Sequence, residues 1–311
     1  MVSKAKAAKY AVCFYLIPCC VACCLYFLIN KPSKDSIKHK IEAIPINDRL
    51  VIDTFFRIFL LKSAGAYTLF SDKPMTFDSF FDPYPGDWTS LCRRPYLENM
   101  QLKKGWEVWQ KYQHLFPSSR FIIQSRRLNS NQVEIVLIHK RHLTQMMNRH
   151  LDNFQKVLGE KITPLELLSR YQSGKEALFN LLNEHHGLLG ILLGFGKRNA
   201  WLYQKRERIS QDLYPFTLNT HPDPSPGFKT LAEERAYYQN TLTSAFTHEN
   251  TRKCFKFLYV PGFVVDPQSE ETQELQKKYL EQRKAIHAIY SHGNFLETTL
   301  RQLTSKAANE E

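Results

Sequence analysis

The chain has 311 residues, 43% of them hydrophobic, enough to bury one large core or two small ones. Its formal charge of +12 invites a nucleic-acid reading, but half of that excess lies in residues 1–40, where seven lysines face one acid. The rest is a modest surface surplus without a basic-aromatic motif, which argues against nucleic acid.

Lys4, Lys6 and Lys9 precede the run Tyr10–Ile29, twenty residues without a charge. At about 1.5 Å rise per residue, a helix of that length matches a hydrocarbon core of about 30 Å. Tyr10 and Tyr26 lie near its ends, where amphipathic rings favour the interface. Residues 1–30 are therefore read as a single-pass transmembrane anchor, with the lipid bilayer as partner through residues 10–29. A cleaved or lipidated signal segment, using Cys20-Val21-Ala22-Cys23, is the competing reading. The lysine count on the two sides of the run is nearly balanced, so the side of the domain is undecided. Five of seven cysteines lie in this run, leaving Cys92 and Cys254 elsewhere and no disulfide framework.

Residues 31–46 read as a basic connector, and residues 47–311 as one domain. Asn47 and Asp48 offer helix caps before an apolar-periodic stretch, and Gly65 is the expected stop. Residues 66–80 read as a short strand with a turn at Ser71-Asp72-Lys73-Pro74, and 80–88 as an irregular loop. A helix is expected over 98–115, with Trp106 and Trp109 on one face. The β-rich runs within 120–140, separated by the polar turn 128–131, predict a hairpin. Apolar residues at three- and four-residue steps predict a helix over 143–158, and Thr163-Pro164 an N-cap with proline at the first helical position. Another helical stretch is expected from Lys175. The four prolines of 214–228 mark a surface loop, and 253–265 reads as a strand broken near Pro261-Gly262. Ser269 caps a last helix extending past Leu300. Few strands among many helices, without a regular βαβ rhythm, predict an α+β fold: a mostly helical domain with a small antiparallel sheet.

The stretch 185–201, HHGLLGILLGFGKRNAW, concentrates glycine, histidine and apolar residues. A phosphate loop fails, because Gly196-Lys197 is followed by Arg198 and the upstream glycine position holds Ile191. The dinucleotide pattern fails because it ends on Asn199. Adjacent His185 and His186 diverge on a helix and share no ion easily, and His139/His142 and His287/His292 make no recognisable metal set. No cofactor or metal is expected. Gly187, Gly190 and Gly194 would share one helical face, which favours close backbone packing over a ligand groove or membrane contact, with a break at Gly194-Phe195-Gly196. The candidate ligand or partner surface comprises Gly187, Gly190, Gly194, Gly196, Arg198, Asn199 and Trp201, with Asp72 and Lys73 from the turn.

Residues 66–77 (AYTLFSDKPMTF) and 187–202 (GLLGILLGFGKRNAWL) resemble paired segments of uncharacterised proteins from chlamydia-like intracellular bacteria. Ser71 stands where those proteins carry glycine. The resemblance implies a bacterial source and carries no activity. No catalytic pattern is met, so the expected function is a membrane-anchored, non-catalytic ligand- or partner-binding domain. The alternatives are a membrane-tethered hydrolase using Cys92 (beside Arg93-Arg94, which would lower a thiol pKa) or a histidine, and an envelope structural protein.

Overall fold

The computed structural model describes residues 34–82, 93–159, 161–212 and 258–305, with isolated positions between 229 and 244. The predicted anchor, most of the 80–88 loop, the 214–228 loop, Cys92 and Cys254 lie outside the described residues. Among the described residues no helix is long and apolar enough to cross a membrane.

The chain divides into two units, Met1–Ala43 and Ile44–Glu311. In the first, helix α1 (Lys34–Glu42) occupies much of the expected connector, with an exposed Lys38–Glu42 pair one turn apart.

The second unit is α+β, as its pattern predicts. Helix α2 (Ile46–Phe56) is preceded by Pro45 at the cap position, two and three residues ahead of the expected Asn47 and Asp48, and runs on as a π-helical segment, Arg57–Lys62. Gly65 opens a helix instead of closing one. The stop falls at Ala64, in the left-handed region at φ 62, and α3 (Gly65–Phe70) follows. The expected strand over 66–70 is thus helical. This short run is buried on nearly every side, and periodicity cannot assign such a segment. The turn at 71–74 does form, and strand β1 (Met75–Phe81) comes after it.

Helix α4 (Arg93–Tyr112) buries Trp106 and Trp109. Strands β2 (Phe121–Arg127) and β3 (Gln132–His139) make the predicted hairpin, and β1 joins on the other side of β3, giving an antiparallel sheet of order β1-β3-β2. Register sets the two faces. Phe77 lies opposite Val136, which lies opposite Gln124, and Ser79, Glu134 and Arg126 form the next row. Directly opposed residues share a face, so Met75, Phe77, Val136 and Ile138 point one way, while Thr76, Ile135, Leu137 and Ser125 point the other.

Helices α3 and α4 lie against the second face, where the Thr68 and Thr76 hydroxyls meet at 2.9 Å and Trp106 donates from its ring N–H to Ser125 Oγ at 3.0 Å, and α2 packs on α4. The first face is covered by α5 (Lys140–Arg149), α6 (Leu151–Leu158), α7 (Pro164–Gln172), α8 (Leu178–Leu181) and α9 (His186–Leu192), whose buried residues form one cluster with it. The helix expected over 143–158 is broken at His150. Thr163 caps α7 as expected, accepting the Glu166 N–H at 3.2 Å with Pro164 in first position. Helix α10 (Lys197–Asp212) follows the glycine-rich break. Of the strand expected over 253–265, only Val264–Val265 (β5) pairs, with Thr243–Ser244 (β4), and 258–263 is irregular; 253–257 lies outside the described residues. Ser269 caps α11 (Glu270–Ser291), but the chain breaks before α12 (Phe295–Thr304), which has its own cap in Asn294.

Candidate functional site

Why the segment 185–201 carries four glycines follows from what surrounds them. His185 caps α9, its Nδ1 accepting the Leu188 N–H at 3.1 Å. A Cβ on Gly187 would lie 2.1 Å from the Trp201 ring, and one on Gly190 would lie 2.8 Å from the Ala200 Cβ. The bare face of α9 is therefore the surface against which α10 packs. Gly194 and Gly196 lie beyond α9, at φ 76 and 86, and reverse the chain between the helices. So the expected three-glycine face is a two-glycine face, and Gly194 serves the break.

Several of the singled-out residues are engaged within the chain. The Glu271 carboxylate accepts the Lys197 and Arg198 N–H groups, both at 2.9 Å, filling the positive end of α10. Arg198 pairs with Asp266 at 2.8 Å, and Asp72 with Lys278 at 2.7 Å. Buried Asn199 donates to the Phe195 carbonyl and accepts from the Asp266 N–H and Thr272 hydroxyl, all at 3.1 Å. The Tyr279 hydroxyl donates to the Gly194 carbonyl at 2.8 Å, and a Cβ on Gly194 would also touch Pro74 and Lys73. The fold thus brings the Asp72–Pro74 turn and the glycine segment together.

Beside this contact lies a cavity of about 590 Å³, inside the range of about 300–1,000 Å³ usual for small-molecule sites. Phe77 and Glu134 of the sheet form its floor, and Phe179, His186, Leu189 and Tyr203 its helical wall. Gly190, Asn199 and Ala200 belong to the same wall. Glu134 is 5% exposed, and its Oε2 has no hydrogen-bond partner. Burial pushes this carboxyl up to about 7, against the pull of Arg126. A buried acid oxygen without a partner in a predominantly apolar cavity is a polar anchor awaiting one.

A second cavity, of about 350 Å³, holds Lys73 in its wall and shares Phe77, Leu193, Phe195 and Gly262 with the first. Lys73 is 3% exposed. Its Nζ donates to the Met75 carbonyl and to Thr76 Oγ1, the latter at 3.0 Å. Removal from water, without a neighbouring carboxylate, lowers the amine to about 7. Strained backbone borders both cavities. Ala64, left-handed, lines the second, and Asn183 and Glu184, at φ 52 and 56, lie between Asn180 and His186 of the first. Such conformations cost about 1–3 kcal/mol each and gather at ligand sites.

The histidines offer little chemistry. His139 and His142 stack at 3.7 Å, and burial holds His139 down to about 3, so it takes no proton near neutrality. His185 and His186 diverge as expected, one toward Trp201 and the other toward Tyr203. Among the described residues no group of three His, Cys, Asp or Glu side chains is placed to hold a metal. Sequence reasoning named Gly190, Asn199 and Lys73 but missed Glu134, Phe77, Phe179 and Tyr203. The one signal for Glu134 was an acid set inside the apolar strand Gln132–His139. Comparison with protein-family models, curated proteins and solved structures finds no match to this chain.

Proposed function

We propose that this protein is a membrane-anchored binding protein, held by residues 10–29, whose domain takes a predominantly apolar small molecule in the cavity beside Gly190. The observation that carries the reading is the Glu134 carboxyl, its Oε2 without a hydrogen-bond partner, in the wall of a predominantly apolar, ligand-sized cavity. The ligand offers one hydrogen-bonding group to Glu134 and apolar surface to Phe179, Leu189 and Tyr203. Among the described residues lining this cavity there is no recognisable nucleophile–base pair, which supports binding over turnover.

Titration with N-phenyl-1-naphthylamine, an apolar dye with one N–H donor, tests the reading. The wild-type chain is expected to enhance its fluorescence saturably at one site. Leu189→Trp fills the cavity and should weaken uptake by about tenfold or more, whereas Leu165→Trp, at a position 74% exposed, should leave it unchanged. Equal uptake by wild type and Leu189→Trp would remove the cavity as the binding site.

A further inference from the structure

The second cavity adds a charge requirement. We infer that the ligand is an aliphatic carboxylate with a further hydrogen-bonding group on its chain, seated with its carboxylate on Lys73 and its chain in the Glu134 cavity. The inference rests on the small-molecule reading and names the ligand's chemical class.

An ammonium has three donors, and Lys73 places two of them on neutral oxygens, the Met75 carbonyl and the Thr76 hydroxyl. The nearby acids are engaged elsewhere: Asp72 with Lys278 and Gln282, Asp78 with Ser63, and Glu98 with Lys62. A buried cation without a counter-ion is costly. A carboxylate entering the cavity supplies both the missing charge and the third acceptor, as a charge-assisted hydrogen bond in a low-dielectric site. One lysine matches one negative charge. Lys62, the other cation in that wall, is paired with Glu98 at 2.5 Å, so a phosphate dianion would be under-neutralised.

The two cavities meet at Phe77, Leu193, Phe195 and Gly262, and that apolar junction passes a methylene chain from one to the other. Lys73 precedes β1, and its Nζ is held at Met75 and Thr76, three to four positions before Ser79, the residue opposite Glu134. That separation is about 10–13 Å of extended backbone. The head group at Lys73 and the polar group at Glu134 therefore belong to opposite ends of an elongated molecule.

The experiment compares 10-hydroxydecanoate with 1,10-decanediol as competitors of N-phenyl-1-naphthylamine. Chain and hydroxyl are the same, and only the carboxylate differs. Wild type is expected to bind the hydroxy acid about tenfold more tightly than the diol. Lys73→Met should lose that preference while retaining dye and diol affinity, and Lys73→Arg should keep it. Absence of a preference in wild type, or its survival in Lys73→Met, would overturn the inference while leaving the cavity reading intact. If Lys73→Met fails to take up the dye, the wild-type comparison and Lys73→Arg still decide. Failure of the dye itself on wild type would overturn the underlying reading instead. Tighter binding of decyl phosphate than of the hydroxy acid would contradict the monoanion assignment.

Discussion

Lys73 and Glu134 both titrate near pH 7, but they reach it from opposite directions. Burial lowers Lys73 from its ordinary 10.5. Between about 7 and 10.5 the unfolded chain therefore binds the extra proton, and stability rises with pH. Glu134 is raised from 4.5, so between 4.5 and about 7 the folded chain binds the extra proton and stability falls as pH rises. Together they predict a dip in stability close to neutrality. Urea unfolding midpoints between pH 4.5 and 10 should show Lys73→Met flattening the rise above 7, and Glu134→Gln flattening the fall below it. A Lys73→Met profile parallel to wild type above pH 7 would contradict the burial of a lone amine. Lys73 was legible as a turn residue because Ser-Asp-Lys-Pro announces a turn. Its chemistry was not, since the loss of water around it comes from Phe195 and Val260, more than a hundred positions away.

At the scale of elements, the contact between α9 and α10 is set by small residues. A methyl on Gly190 would overlap the Ala200 Cβ, and overpacking of this kind costs about 1–3 kcal/mol. Gly190→Ala is therefore expected to lower stability despite the better helix propensity of alanine, which offsets roughly 1 kcal/mol. Adding Ala200→Gly should restore part of the loss by moving the small residue to the opposite helix. Chemical denaturation of the two single variants and the double variant measures this coupling, and strict additivity would show that the two positions do not touch. The same contact explains which elements could be read in advance. The β2–β3 hairpin, the Thr163 cap and the Gly194–Gly196 break carry local signals of turn chemistry and capping. The helix α3 and the break at His150 carry no such signal, whereas the break before α12 is marked locally by Gly293 and the cap Asn294, which accepts the Glu297 N–H.

For the molecule as a whole, an α+β pattern was visible because alternation and helical periodicity are short-range. The cavity was not, because its walls come from a sheet face, a hairpin end and three helices that only the tertiary fold assembles. The proposed anchor is a separate matter, read from twenty uncharged residues alone. It predicts that the full chain stays with membranes through carbonate extraction, and that removal of residues 1–30 releases it; a carbonate-soluble full chain would refute the anchor. The space between Glu134, Leu189 and Tyr203 is the proposed ligand site. A crystal structure of the wild-type domain grown with 1,10-decanediol tests it most directly. Diol density is expected between these residues, with a hydroxyl within hydrogen-bond distance of Glu134. The same space filled by the chain's own side chains, with the diol absent or bound elsewhere, would contradict it.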